Sequence, residues 1–170
     1  MEEKLEAQLR ELAGMIDHTI LKPDATKQKV LEVCQECRDY HFKMIAINSC
    51  QVTLCHHALK GSGVHVGAAI SFPLGQTELN IKLLETEHAI RQGADEIDYV
   101  VNLTELKSGN WDLVRKEMDR ITRLCHQYGK ICKVIFETCY LSEEEIIRLA
   151  QIAREVKPDF IKTSTGFGPA

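Results

Sequence analysis

The stretch Ala94-Asp-Glu-Ile-Asp-Tyr-Val-Val-Asn102 decides the fold. Ile97, Tyr99, Val100 and Val101 are the β-branched and aromatic residues of a strand covered on both faces, which reads as a nearly continuous apolar run. Glu96, Asp98 and Asn102 interrupt that run. Side chains alternate along a strand, so these three residues share one face with Val100. An ionisable group inside a covered strand carries a desolvation cost, and its presence there calls for a chemical reason.

Two further runs repeat the pattern. Ile131-Cys-Lys-Val-Ile-Phe-Glu137 places Ile131, Lys133, Ile135 and Glu137 on one face, and Phe160-Ile-Lys-Thr-Ser164 places Phe160, Lys162 and Ser164 on one face. Met44–Asn48 and Val64–Ile70 are the other clear strands, with a short first strand around Met15–Asp17. Between them lie helical patterns. Trp111, Val114, Met118, Ile121 and Cys125 fall at steps of three and four, with Asn110 as N-cap and Gly129 past the end. Ser142 and Glu145 form a capping box for a helix that continues through Ile146, Leu149, Ala153 and Val156 and stops before Pro158. A third helix runs from near Thr77 to Arg91, and weaker ones cover Thr26–Tyr40 and Ser49–Lys60. Strands alternating with helices indicate a parallel α/β sheet or barrel.

A chain of 170 residues with 44% hydrophobic and 27% charged residues is an ordinary globular composition, and no linker or composition break divides it, so residues 1–170 are expected to form one domain. A net charge of −4 gives no basic excess for nucleic acid. The N-terminus has Leu5, Leu9 and Leu12 at helical spacing and neither region of a signal peptide, and no apolar run reaches the roughly 18 residues of a membrane span. A cytoplasmic protein without membrane or nucleic-acid partners is expected. The seven cysteines form no regular framework and read as buried reduced thiols. Cys34-x-x-Cys37 has no second pair to complete a zinc site, so no metal is expected.

If the polar faces point into one interior, Asp98 and two lysines meet near the C-terminal ends of the strands, where barrel active sites lie. A lysine attacks a carbonyl only as the neutral amine, and burial beside another cation favours that form. Lys162 is the candidate nucleophile, Lys133 its cationic neighbour and Asp98 the group that moves protons. A structural buried salt bridge is the bland alternative, although such pairs are a poor source of stability.

The string Phe160-Ile-Lys-Thr-Ser-Thr-Gly-Phe-Gly168 resembles the Schiff-base strand of the deoxyribose-phosphate aldolases. Met15-Ile-Asp-His-Thr-Ile-Leu-Lys22, Ser71-Phe-Pro-Leu-Gly75, Ala94–Asn102 and Lys133-Val-Ile-Phe-Glu-Thr138 resemble that family's first strand, the turn after its third, its fourth strand and its fifth, in order. The resemblance implies a TIM-type β/α barrel with an N-terminal capping helix. It also implies cofactor-free, reversible cleavage of 2-deoxyribose 5-phosphate to glyceraldehyde 3-phosphate and acetaldehyde. It makes Lys162 the Schiff-base former, Asp98 the proton-relay acid, and Lys133 and Asp17 pocket residues.

The family's chains continue through a seventh strand with a second catalytic lysine, an eighth strand and phosphate-holding glycine loops. About six of eight βα units are therefore expected here, in a C-terminally truncated barrel that is a fragment of a longer gene product, a chain completed by pairing or swapping with another copy, or an inactive relative; a homo-oligomer is expected. Ala46, Ser49 and Gly67-Ala-Ala-Ile-Ser71 also depart from the family pattern. The rival readings are a non-catalytic relative acting as a binding or assembly partner, and an aldolase for another carbonyl substrate. His18 could contact substrate or serve as a structural hydrogen-bonder, and Gly166 and Gly168 could present N–H groups to an anion or only form a turn.

Overall fold

The computed structural model describes residues 2–169. Six parallel strands pair in chain order, β1 (Asp17–Ile20), β2 (Met44–Asn48), β3 (His65–Ile70), β4 (Glu96–Val100), β5 (Ile131–Ile135) and β6 (Phe160–Lys162). Each is joined to the next through helix, with α1 (Glu2–Ala13) ahead of β1, α2 (Lys27–Asp39), α3 (Val52–Ala58), α4 (Leu79–Arg91), α5 (Leu103–Lys107), α6 (Trp111–Gln127) and α7 (Glu143–Val156) following in order. β1 and β6 are the free edges of the sheet. The sheet nonetheless curls far enough for Lys162 on β6 to reach Asp17 on β1 at 3.4 Å. This is an open part of a β/α barrel, with about six of the eight units of the complete form.

The outer face of the sheet and the inner faces of the helices form the main core. Ile45, Ile47, Val66, Ile70, Ile97, Tyr99 and Val134 contribute from the strands, and Val114, Met118, Ile121 and Cys125 from α6. Those four α6 residues are at most 1% exposed, so the expected stripe is the buried one, and the larger of its side chains each contribute about 1.5–3 kcal/mol. The expected capping box on α7 is present, with Ser142 and Glu145 each satisfying the other's backbone N–H. Leu5, Leu9 and Leu12 of α1 are more than half exposed, so this helix keeps an open apolar side.

The inner face is tighter and more polar. Gly67 leaves room for Met44, whose Sδ would lie 2.2 Å from a Cβ at that position. Any larger residue there would displace the methionine, which fits the absence of a side chain in the middle of a strand.

Boundaries differ from expectation in one consistent way. β4, β5 and β6 each end two residues early, at Val100, Ile135 and Lys162. Asn102 leaves its strand to cap α5, accepting from the N–H groups of Thr104 and Glu105, and Glu137 turns into the left-handed region at φ 56°. β1 begins at Asp17, where the expected strand ended, because Gly14 to Ile16 complete the turn out of α1. α4 starts at Leu79 because Thr77 is held by the Ser71 hydroxyl, 2.7 Å away. Asn110 precedes α6 but makes no side-chain cap to it.

Candidate active site

Register places Asp98 beside Lys133 and Ile135 beside Lys162, so the three polar residues of β4, β5 and β6 point into the same interior. Lys162 Nζ lies 2.6 Å from Asp98 Oδ2 and 3.4 Å from Asp17 Oδ2. Lys133 Nζ lies 2.9 Å from Asp17 Oδ2, 2.6 Å from Glu96 Oε2 and 3.7 Å from Asp98 Oδ1. All four residues expected at the site are thus in one connected cluster. Lys133 and Asp98 are buried within it, and Lys162 remains 31% exposed at its side chain.

Burial pushes the Asp98 carboxyl above its ordinary range, against the pull of Lys133 and Lys162. Asp98 Oδ1 has no hydrogen-bond partner among the described residues, so one acceptor of a buried acid is uncommitted, 3.7 Å from Lys133 Nζ. Desolvation acts to lower the Lys133 ammonium, but Asp98, Glu96 and Asp17 together outweigh it and hold the group above its ordinary value. Lys133 is therefore a fixed cation. Asp98 is a carboxyl whose burial favours the protonated form more than in an exposed aspartate.

Sequence reasoning placed Glu96 on the interior face but gave it no role. Glu96 is 1% exposed, accepts from Lys133, and pairs through its other oxygen with His65 Nδ1 at 2.6 Å. It anchors Lys133 from below. Glu137 was also unassigned, and it holds the segment after β6 by accepting from the Thr165 N–H at 3.0 Å and from the Thr165 hydroxyl. Both carried the same signal in the sequence, an acid sharing parity with a strand lysine or aspartate. His18 faces away from the interior and bonds Glu36 of α2 at 2.6 Å, a structural role. Gly166 and Gly168 lie in the segment that Glu137 holds, where Gly168 borders a cavity of about 670 Å³ lined also by Leu74, Leu103, Tyr140 and Phe167. That cavity opens among the loops that follow β3 to β6, and Lys162 is not part of its lining.

All seven cysteines are free thiols; Cys34, Cys37, Cys55, Cys125 and Cys132 are buried as expected, whereas Cys50 and Cys139 are exposed. Among the described residues no group of three or more His, Cys, Asp or Glu is placed to hold a metal ion, and no helix is long and apolar enough to cross a membrane.

Residues 12–168 match the model of the DeoC/LacD family aldolases. The deoxyribose-phosphate aldolase of Lactobacillus acidophilus is 52% identical over 160 residues, a match covering 94% of this chain and 68% of the relative. That of Bacteroides thetaiotaomicron is 51% identical over 162 residues, covering 95% and 68%. The aldolase QR15 superposes with a TM-score of 0.88 at 36% identity, covering 94% of this chain and 70% of the other. A deoxyribose phosphate aldolase from Aeropyrum pernix, described as having a unique tetrameric structure, superposes with a TM-score of 0.86 at 31% identity, covering 93% and 66%.

Proposed function

The chain belongs to the DeoC/LacD family of aldolases, and we propose that it cleaves 2-deoxyribose 5-phosphate reversibly to glyceraldehyde 3-phosphate and acetaldehyde through a Schiff base on Lys162. The observation that carries this reading is the placement of Lys162, partly exposed and 2.6 Å from the buried Asp98. The identity to deoxyribose-phosphate aldolases supports the choice of substrate.

The neutral Nζ of Lys162 attacks the aldehyde carbon, and loss of water from the carbinolamine leaves a protonated imine. Cleavage between C2 and C3 sends the bonding electrons into the imine, giving an enamine, while the C3 hydroxyl proton passes to a base and glyceraldehyde 3-phosphate leaves. Protonation of the enamine carbon and hydrolysis then release acetaldehyde. Asp98 is the group placed to take and return these protons. Lys133 keeps a positive charge in the cluster that it shares with Lys162 through Asp98 and Asp17, and Asp17 holds Lys133 there. The protonated imine is itself the electron sink, so the reaction calls on no metal or cofactor. This reading places the enzyme in the cytoplasm. It includes association with further copies of the chain, for which the unpaired edges of β1 and β6 are suited.

Borohydride reduction in the presence of acetaldehyde tests the assignment. A stable adduct is expected on Lys162, located by intact mass and peptide mapping. Lys162→Met should abolish it in a chain that stays folded, and an adduct retained in that variant would refute the role given to Lys162.

A further inference from the structure

Beyond the site lies a second buried charged group, an ion pair between Lys82 of α4 and Glu117 of α6. Lys82 is 0% and Glu117 3% exposed, and Nζ is 2.9 Å from Oε2. Burial acts on both, lowering Lys82 and raising Glu117, so each is pushed toward its neutral form and the pair is held at a desolvation cost. An apolar pair would fill the same space between two helices without that cost. The remaining contacts show what the charges are attached to. Lys82 Nζ donates to the Val100 carbonyl at 2.8 Å, and Glu117 Oε1 accepts from the Asn102 N–H at 3.0 Å.

Those two backbone groups lie on one side of the end of β4 and its extended exit. Successive peptide units in a parallel strand face alternate neighbours, and the Val101 N–H is spent on the Ile135 carbonyl of β5. The Val100 carbonyl and the Asn102 N–H therefore face the β3 side. β3 is no longer there, since it ends at Ile70, opposite Tyr99. Ser71 turns into the left-handed region at φ 51°, and its N–H goes to Glu85. Lys82 and Glu117 supply the donor and the acceptor that a longer β3 would have given. From the other direction Gly75 closes on the same segment, where an added Cβ would lie 2.2 Å from the Val101 carbonyl oxygen and 3.0 Å from that of Val100.

Two residues upstream of Val100 is Asp98. We propose that Lys82 and Glu117 are positioning residues, a two-charge substitute for the missing end of β3 that fixes the exit of β4 and so aims the Asp98 carboxylate at the carbon attached to Lys162. Neither side chain touches a reacting atom. The proposal rests on the Lys162 reading above, and it predicts a defect in one step only. Imine formation depends on Lys162 of β6 and should survive loss of the pair. Proton removal from the imine's methyl carbon, in which the C–H pair becomes a C=C bond, the C=N π pair moves onto nitrogen and the proton goes to Asp98, should not.

The test compares two readouts in the full chain with acetaldehyde as probe. One is the amount of borohydride-trapped adduct, and the other is exchange of the aldehyde's methyl protons in D2O, followed by NMR and expressed per adduct. A misplacement of about 1 Å costs on the order of a hundredfold, and Lys82→Met, which strands the Val100 carbonyl and the Glu117 charge, is expected to lower exchange per adduct by about tenfold to a hundredfold. Glu117→Gln keeps an acceptor for Asn102 and should lose only about twofold to fivefold, scaled from the same cost. If Lys82→Met fails to fold, Glu117→Gln decides alone. Wild-type exchange per adduct in the deciding variant overturns the proposal, as does a parallel fall in adduct and exchange, which marks a purely structural pair. No adduct on the wild-type chain overturns the Lys162 reading itself and this inference with it.

Discussion

Replacing Glu137 by alanine tests whether the segment after β6 is held by a single carboxylate. Glu137 is 2% exposed, and both of its oxygens accept from Thr165. Its backbone sits at φ 56°, a conformation that alanine would share, so the substitution keeps that strain and removes only the side-chain contacts. A hydrogen bond to a charged group contributes about 1.5–3 kcal/mol. Thr165 is half-buried, so water replaces part of what is lost, and the pair together should cost about 2–3 kcal/mol. The loss should stay local, because β6 is three residues long and pairs with β5 alone. Hydrogen exchange at the amides of residues 160–168 should therefore accelerate by about 30-fold to 150-fold, while β2 to β4 keep their protection. Glu137→Gln, which retains one acceptor, should fall roughly midway. Unchanged exchange over residues 160–168 in the alanine variant would refute the idea that Glu137 holds this segment.

Asp98→Asn should leave adduct formation on Lys162 intact and lower methyl-proton exchange by about 10²- to 10⁴-fold, the usual contribution of a positioned acid–base group; full exchange in the variant would remove Asp98 from the mechanism. Because burial raises Asp98 above its ordinary 3.8, its contribution to stability is complete below that value and is lost as pH rises through the folded-state value. Denaturant titrations should then show Asp98→Asn gaining stability relative to wild type across that rise, and a pH-independent difference would contradict the shift. Ser142→Ala removes one half of the α7 capping box and should cost about 1 kcal/mol in urea unfolding; a loss within error would mean that Glu145 and Lys107, 2.7 Å apart, hold the helix start unaided.

The interior cluster was legible because strand parity is strict. Glu96, Asp98, Lys133 and Lys162 could be assigned to one face before any coordinates, and the register then linked all four in a row of ion pairs, Glu96 to Lys133, Lys133 to Asp98 and Asp98 to Lys162. Strand ends were less legible. Asn102, Glu137 and Ser164 continue the alternation on paper, yet each lies where the chain leaves the sheet, and a cap at Asn102 and a left-handed turn at Glu137 outweigh the period-two pattern. α5 was missed for the same reason, being only five residues of Leu103–Lys107 started by the Asn102 side chain.

The Lys82–Glu117 pair left a fainter trace. Lys82 falls in the α4 stripe with Leu79, Thr86 and Ala89, and Glu117 adjoins Met118 in the stripe of α6, so each is a charge on a face that should be apolar. Periodicity flags such residues, but the partner of each lies on another helix and only packing reveals it.

The seam between Asp17 on β1 and Lys162 on β6 is closed by a nitrogen that the proposed chemistry consumes. An ammonium offers three N–H donors, enough for Asp98 at 2.6 Å and Asp17 at 3.4 Å together. A protonated imine offers one. Once the adduct forms, two acids compete for a single donor, and the longer Asp17 contact is the one to yield. Each catalytic cycle would thus untie and retie the one side-chain bridge described between the first strand and the last, coupling the covalent state of Lys162 to how tightly the open sheet is drawn shut.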